Sequence, residues 1–143
     1  MTAIITAPSA PAADVERLVA ELLAFLETGV LAERLFAADV FADVSLPHWR
    51  EQAGDRDALV AIRREGHASP GRVVRHRVDP IPTGFVIEFE EHWVQGGQAW
   101  RAREMIRADV RDGSIAELSV YCTGDWDEAR VNEHAATVTL IRP

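Results

Sequence analysis

The stretch DGSIAELSVYCTGDWD, residues 112–127, contains an Asp-Gly turn, an alternating segment and a second turn that carries carboxylates. The Asp-Gly pair is typical of a tight β-hairpin turn, and the alternation from Ser114 to Cys122 is that of a half-buried strand. A titratable side chain at the end of such a strand can enter a pocket when the sheet is curved. The stretch therefore predicts a hairpin sheet and directs attention to Asp125.

Three further strands are predicted before this hairpin, over residues 72–79, 85–94 and 98–110. The connection Gln-Gly-Gly precedes the third of them, and Asp-Gly follows it. Both connections are short enough to force antiparallel hairpins. The second half of the chain is therefore expected to be a meander of four long strands.

The first half has helical periodicity instead. Apolar residues recur at helical spacing over residues 14–28, a shorter helix is predicted over residues 31–36, and a strand follows over residues 40–46. Asp55 can cap a third helix. Residues 127–143 are expected to form a short helix and an apolar tail that is buried against the domain or against a partner subunit.

Length and charge limit the classes of function. The 143 residues fit a single domain over residues 14–143, preceded by a flexible N-terminal extension over residues 1–13. Fifteen basic and 23 acidic side chains give a formal charge of −8, which disfavours nucleic acid and anionic membrane surfaces as partners. The single cysteine, Cys122, excludes an internal disulfide and favours a reducing compartment, the cytoplasm.

Strand alternation separates the acids of residues 85–94 into two groups. Glu88, Glu90 and His92 share one face, whereas Glu91 lies on the apolar face with Phe85. The simpler interpretation is that the first group faces solvent, and the alternative is that Glu90 or His92 faces a cavity. Glu90 and His92 could chelate a metal, but without a recognisable third ligand no metal site is expected.

The next strand places one acid among apolar side chains. Glu104 shares its face with Ala102 and Ile106, whereas Arg103 and Arg107 lie on the opposite face. An isolated carboxylate on a core face either pairs with a buried partner or acquires a raised pKa suited to proton transfer. Both interpretations are open.

On the final strand, strict alternation assigns Tyr121 and Thr123 to the same face as Ile115. Asp125 joins that face only if the chain stays extended through Gly124. A phenol and a carboxylate on one face could stabilise an oxyanion and move a proton. The alternative is that Asp125 caps a helix beginning near the following tryptophan.

Aromatic residues and two further histidines complete the candidates. Some of the four tryptophans are expected at the rim or floor of a cavity, although core packing also explains each one: Trp49, Trp93, Trp100 and Trp126. His76 is expected to face inward, and His48 is expected near a cavity mouth.

The element order, with Arg-Ala-Arg-Glu-Met at residues 101–105 and Asp-Gly-Ser-Ile-Ala-Glu-Leu-Ser-Val-Tyr at residues 112–121, resembles the nuclear transport factor 2-like superfamily, most closely its SnoaL-like branch. The resemblance covers residues 14 to about 128. It implies an α+β fold in which a cone-shaped, curved, mostly antiparallel sheet wraps around N-terminal helices and encloses an apolar pocket.

The resemblance implies several activities. In the cyclases an aspartate just after the tyrosine of the last strand is the acid and base; the position that falls there is Thr123, with Asp125 two residues later. The isomerase pattern can be drawn with Glu104, Asp125 and Tyr121. An epoxide hydrolase, the third choice, needs an Asp-Arg-Asp set, whereas Arg103 and Glu104 lie on opposite faces.

We therefore expect a cofactor-free enzyme of polyketide-type metabolism that cyclises or isomerises a hydrophobic small molecule. A non-catalytic binding or dimerisation module is the alternative, and a homodimer is expected from the resemblance. The proton-transfer candidates are Asp125 and Glu104, with His92 and His76 as partners and Tyr121 as oxyanion donor. The expected substrate-binding residues are Trp49, Trp93, Trp100, Trp126, His48 and Glu90.

Overall fold

The structure is a computed structural model that describes residues 10–143. Most of the predicted N-terminal extension lies outside the described residues, and the first helix begins at Ala12. The elements in chain order are α1 (Ala12–Thr28), β1 (Phe36–Leu46), β2 (Trp49–Ala53), α2 (Arg56–Gly66), β3 (Gly71–Ile81), β4 (Gly84–Gln95), β5 (Gln98–Arg111), β6 (Ser114–Cys122) and α3 (Glu128–Thr137). No helix among residues 10–143 is long and apolar enough to cross a membrane.

The six strands form one curved, open sheet in the order β2-β1-β6-β5-β4-β3. Neighbouring strands are antiparallel except β1 and β6, which are parallel. The predicted meander of β3 to β6 and the α+β class are confirmed. The mixed sheet brings the end of β6 beside β1, which is the arrangement that positions the site.

Two sequence predictions in the first half are wrong. Residues 31–36 do not form a helix: Ala32 to Leu35 make a turn, and the Leu35 carbonyl accepts a hydrogen bond from Ile115 N at 2.9 Å. This short segment therefore has one turn hydrogen bond of its own, from Leu35 N to the Ala32 carbonyl at 3.1 Å, and is otherwise tied to β6. Strand β2 was not predicted because its residues are exposed up to Ala53 and lack an alternating pattern.

The core lies between the sheet and the first two helices. Helix α1 buries a stripe at helical spacing, and its chain leaves through Gly29, whose φ of 75° is the left-handed conformation that glycine adopts freely. Helix α2 begins at Asp55, whose side chain accepts a hydrogen bond from Ala58 N at 2.8 Å, as predicted. The sheet face that meets these helices, called the inner face below, carries Phe85, Ile87, Phe89, Ala102, Ile106 and Ala108.

The predicted sorting of β4 and β5 into two faces is confirmed, but that of β6 needs a correction. Val110 pairs with Ile115, whereas Asp109 pairs with Glu117, so Ala116 is an extra residue in β6. This β-bulge reverses the alternation, and Ile115 lies on the inner face with Leu118. The outer face carries Tyr121, which was grouped with Ile115 from the sequence.

Helix α3 packs with no fully buried side chain. Asp127, not Asp125, caps it by accepting a hydrogen bond from Arg130 N at 2.8 Å. The tail that follows is not buried against its own chain, since Ile141 is 98% exposed. Its end nevertheless reaches β3, where Arg75 Nη1 donates to the Pro143 carbonyl at 3.3 Å.

Candidate functional site

A cavity of about 640 Å³ lies between the inner face of the sheet and helices α1 and α2. Its apolar wall includes Leu22 and Phe25 of α1, Leu59 of α2 and Ile106 of β5. Its ionisable side chains are Glu51, Arg63, Glu65, His67, Glu104, Cys122 and Asp125. An apolar chamber with a few convergent polar groups is the usual form of a small-molecule site.

The charged side chains with the most hydrogen bonds at this site are those of Arg63 and Glu91. Arg63 Nη2 lies 2.6 Å from Glu91 Oε1, Nη1 lies 3.1 Å from Oε2, and Nη2 also donates to the Leu26 carbonyl at 2.9 Å. Glu91 is 3% exposed. Burial acts to lower the pKa of Arg63, but the hydrogen bonds and charge of Glu91 outweigh it and raise that pKa. Arg63 therefore keeps its charge, and its hydrogen bonds join α2, β4 and the end of α1.

Glu104 lies close to this pair in the cavity wall. Glu91 pairs with Ala102 across the sheet, so Glu104 is its diagonal neighbour on the inner face. Burial raises the pKa of Glu104 to about 8, the charge of Glu91 adds to the rise, and Arg63 opposes it. Glu104 is consequently protonated at neutral pH and can donate a hydrogen bond from an apolar wall.

Asp125 reaches the cavity through a second irregularity of the sheet. Thr123 N donates to the Arg103 carbonyl at 3.0 Å, and Trp126 forms a bridge with Arg101. The two residues between them, Gly124 and Asp125, thus face the single residue Ala102, as in a β-bulge. Gly124 has a φ of 86°, so the chain turns instead of continuing extended, and Asp125 lies at the cavity mouth.

The surroundings of Asp125 favour proton exchange. Partial burial raises the pKa of Asp125, whereas His67 and Arg63 lower it and Glu91 raises it further. The side chain is nevertheless exposed at the mouth. Asp125 therefore combines access to water with a pKa above that of an ordinary aspartate, which suits a base that must take and return a proton.

His67, at the end of α2, completes the polar part of the lining. Its ring packs on Trp93 with centroids 3.9 Å apart, and its Nε2 lies 3.8 Å from Glu91 Oε2, beyond hydrogen-bond distance. Among residues 10–143 that nitrogen has no hydrogen-bond partner. Burial and the charge of Arg63 lower the pKa of His67, so the ring is neutral near pH 7.

Cys122 also lines the cavity but is poorly suited to nucleophilic chemistry. Its Sγ donates to Glu104 Oε1 at 3.6 Å. Burial, followed by the charge of Glu104, raises the pKa of the Cys122 thiol to about 12. The thiolate is therefore scarce at neutral pH.

Three of the predicted catalytic or binding residues, Tyr121, Glu90 and His92, lie on the outer face. Tyr121 is 61% exposed there, because the sheet separates its side chain from the cavity. His76 pairs with Phe89 and so lies on the inner face, but it is on the edge strand β3, where its side chain is exposed and does not line the cavity. Glu90 and His92 contact each other at 3.0 Å between Nε2 and Oε2, and Arg75 lies 3.8 Å from Glu90.

The expected aromatic walls also lie outside the cavity lining. Trp93 is buried behind His67, and Trp100 stacks on Trp93 with centroids 6.5 Å apart. Trp126 packs against His134 of α3. Two further residues follow the lining residue Pro47: His48 in the β1–β2 turn, which has a φ of 59°, and Trp49 at the start of β2, which is 65% exposed.

Sequence reasoning did not single out three residues of the site. Glu91 was assigned to the correct face by alternation, which is the same signal that identified Glu104. In the sequence, Arg63 contributes only the aliphatic part of its side chain to a narrow apolar stripe on the third predicted helix. No local pattern identifies His67. These two residues meet the sheet acids through the packing of α2 on β1, which is a tertiary contact.

The geometry brings together Glu104 and Asp125 but not the other predicted catalytic residues. Glu104 is protonated at neutral pH and can stabilise a developing oxyanion, while Asp125 is open to water and can exchange a proton. The Arg63–Glu91 ion pair lies close to both acids and acts on the pKa of each. This arrangement can support proton abstraction next to a carbonyl group.

No protein-family model matches the chain, and no curated protein matches it. Solved structures match it in fold. An NTF2-like protein from Anabaena variabilis is 16% identical with a TM-score of 0.66, over 87% of this chain and 96% of that one. A candidate polyketide cyclase from Pseudomonas putida is 18% identical with a TM-score of 0.61, over 83% and 96%.

A candidate isomerase from Rhodopseudomonas palustris is 12% identical with a TM-score of 0.59, over 87% of this chain and 97% of that one. Identities at this level establish the fold alone. The chain therefore has the nuclear transport factor 2-like fold that the sequence resemblance implies.

Proposed function

We propose that this protein is a SnoaL-like enzyme of small-molecule metabolism that uses general acid/base chemistry, without a cofactor, to cyclise or isomerise a hydrophobic, polyketide-type substrate. The observation that carries the proposal is the presence of two acids with raised pKa values in one apolar cavity, Glu104 buried in its wall and Asp125 exposed at its mouth. Pairs of titratable groups whose environments separate their pKa values are typical of acid/base sites. The cyclase and isomerase names of the structural neighbours agree with this class.

In the proposed reaction, Asp125 removes a proton from the carbon next to a substrate carbonyl and returns it elsewhere. The electron pair of the broken C–H bond moves onto the carbonyl oxygen, and the protonated carboxyl of Glu104 donates a hydrogen bond to that oxygen. In a cyclisation, the resulting carbanion attacks a second carbonyl of the same substrate. Burial keeps Glu104 protonated, and the charge of Glu91, which Arg63 holds nearby, adds to this effect while Arg63 itself opposes it.

A proton-exchange assay tests this proposal without the natural substrate. The α-protons of 2-tetralone exchange with deuterium when a base abstracts them, and proton NMR in D₂O follows the loss of their signals. The wild-type protein is expected to accelerate exchange. Because general-base catalysis contributes about 10²–10⁴-fold, Asp125→Asn should remove at least a hundredfold, and Glu104→Gln should remove about tenfold or more.

The rival is a non-catalytic module that uses the same cavity to hold a hydrophobic ligand. Binding of 2-tetralone, measured by calorimetry alongside exchange, separates the two. Lost exchange with retained binding in Asp125→Asn supports the enzyme, whereas binding without any accelerated exchange in the wild type supports the rival. Glu133→Gln, an exposed change on α3, is the matched control.

A second candidate function is epoxide hydrolysis, and the observation that favours it is the position of Arg63. The Arg103 considered from the sequence lies on the outer face, where it contacts Glu88 at 3.5 Å. Arg63 instead lies among the acids of the cavity, and both Glu104 and Asp125 raise its pKa. Hydrolysis of cyclohexene oxide that depends on Arg63 and Asp125 would support this candidate over the first.

We also propose that the protein acts as a cytoplasmic homodimer. Support comes from apolar side chains exposed on the outer face and tail, which include Met105 at 44% and Tyr121 at 61%. Sedimentation equilibrium should give twice the mass of 15.8 kDa for one chain. Met105→Glu is expected to shift the mass toward the monomer, and a monomeric wild type would refute the proposal.

A further inference from the structure

We infer that the cavity binds uncharged, carbonyl-bearing hydrophobic molecules and discriminates against ligands that carry a carboxylate or a phosphate. This inference rests on the proposed function for the carbonyl group, but its charge selectivity rests on the cavity alone. The selectivity depends on three features of the lining: which basic side chains it contains, whether their charges are already paired, and which acidic side chains lack a basic partner.

The cavity lining contains few basic side chains. The chain contains no lysine, and among residues 10–143 the only arginine that lines the cavity is Arg63. Its charge is paired with Glu91, and three of its N–H groups are bound to Glu91 and to the Leu26 carbonyl. His67 contributes no charge at neutral pH because burial lowers its pKa. An anionic ligand would therefore find no free counter-charge.

The remaining charges oppose an anion. Glu51 and Glu65 are exposed at the rim of the lining, and Asp125 lies at the mouth. Among the described lining residues the one arginine, Arg63, is already paired with Glu91, so these three carboxylates outnumber the positive charge of the lining. Transfer of an anion from water into an apolar chamber is unfavourable unless it is paired, and here the nearest charges repel it.

The cavity is better suited to an uncharged carbonyl oxygen than to an anion. The protonated Glu104 can donate a hydrogen bond to a carbonyl without requiring a second charge in the cavity. The apolar wall, which includes Leu22, Phe25 and Ile106, is suited to a ring system. A chamber of about 640 Å³ lies within the range of about 300–1,000 Å³ that holds drug-sized ligands.

Three matched tricyclic probes test the inference: 9-fluorenone, its 2-carboxylate and its 2-aminomethyl derivative, which is a cation at pH 7. Calorimetry is expected to give fluorenone the highest affinity, the ammonium probe an intermediate one and the carboxylate the lowest, at least tenfold weaker than fluorenone. The ammonium probe is the essential comparison, because it is charged and strongly hydrated like the carboxylate. Its affinity is expected to exceed that of the carboxylate at least threefold.

Variants of the charged residues test whether their charges cause the ranking of the probes. Asp125→Asn should narrow the gap between the ammonium and carboxylate probes, and Glu91→Gln, which leaves the charge of Arg63 uncompensated, should strengthen carboxylate binding. Glu133→Gln on α3 should change neither. If Glu91→Gln does not fold, Asp125→Asn still decides the matter.

The inference is overturned if the carboxylate binds as tightly as the ammonium probe, or if Asp125→Asn leaves their ratio unchanged. Failure of the proposed function has a different signature. In that case 2-tetralone exchange is absent while the charge ranking persists. Absence of binding by all three probes contradicts both statements.

Discussion

The two faces of strands β4 and β5 carry the same kinds of side chain but give them different physical roles. On the inner face, Glu91 is 3% exposed and held by two hydrogen bonds from Arg63. On the outer face, Glu88 contacts Arg103 at 3.5 Å, with side chains that are 49% and 58% exposed. Water screens the outer pair, whereas the inner pair lies where charge is costly unless it is matched.

This difference explains why function can be sought on one face only. An exposed carboxylate keeps its hydration and its ordinary chemistry, as expected for Glu88. A carboxyl against the inner wall loses hydration and faces a fixed negative charge, so its pKa rises, as for Glu104. Residue type alone therefore does not identify the site; the face of the sheet does.

The largest expected effect is on stability, from removing one partner of the inner ion pair. Glu91→Ala leaves the guanidinium of Arg63 mostly buried without its carboxylate, which is expected to lower the free energy of unfolding by about 3–5 kcal/mol. Urea denaturation measures the change. The matched outer variant, Glu88→Ala, should lose less than about 1 kcal/mol. Equal losses in the two variants would remove the distinction between the faces.

The next effect is a pH dependence that only the inner acid should produce. The folded-state pKa of Glu104, about 8, exceeds its ordinary value of 4.5, so the folded state binds more protons between these values. The stabilisation is complete below about pH 4.5 and is lost as the pH rises toward 8. The contribution of this group has a slope of at most about 1.4 kcal/mol per pH unit.

Glu104→Gln, which resembles the protonated acid, should lack this part of the slope. Urea denaturation at pH 5, 6, 7 and 8 measures the difference between wild type and variant, which cancels the contributions of other groups. Glu88→Gln on the outer face is the control and should follow the wild type. Parallel curves for Glu104→Gln and wild type would show that Glu104 ionises normally.

A smaller effect is expected at the bulge that directs Asp125 inward. An added Cβ at Gly124 would lie 2.9 Å from Pro47 Cγ, and the φ of 86° disfavours any other residue. Gly124→Ala is therefore expected to cost about 1–3 kcal/mol and to slow 2-tetralone exchange.

Gly97→Ala is the matched control for backbone strain. Gly97 has a φ of 76° in the β4–β5 turn, with nothing within 4 Å of an added Cβ. This variant should lose about 1–2 kcal/mol of stability and no exchange activity. An equal loss of exchange in both variants would mean that the Gly124 bulge does not position the reactive group.

The smallest effect concerns the outer ion pair itself. A double-mutant cycle on Arg103 and Glu88 is expected to give a coupling of about 0.2–1 kcal/mol that decreases at 1 M salt. The corresponding cycle on Arg63 and Glu91 should give a larger coupling with little salt dependence. A strong, salt-resistant coupling on the outer face would contradict the proposed role of burial.

Much of the fold could be predicted from the sequence because its signals are local. The turns at Gly96 and Gly113 and the alternation of β4 and β5 predict the hairpins and assign Glu104 to the inner face. Residues 31–36 were misassigned because their partner, β6, lies about 80 positions away. Strand β2 has no pattern to recognise, since most of it faces solvent.

The site was only partly predictable because it depends on irregularities and tertiary contacts. Alternation fails at Ala116, where one extra residue reverses the faces, and again at Gly124, where a turn redirects Asp125. The proximity of Arg63 and His67 to the sheet acids depends on how α2 packs. Local sequence contains none of this information, and it also gave the exposed Tyr121 and His76 more weight than their positions support.

The central claim is that the inner face keeps one carboxyl protonated beside an ion pair at neutral pH. The most direct test is an NMR titration that follows the side-chain carboxyl carbon of Glu104 in protein labelled with ¹³C-glutamate, assigned with Glu104→Gln. The account predicts a midpoint of about 8. A midpoint near the ordinary value of 4.5 would contradict it.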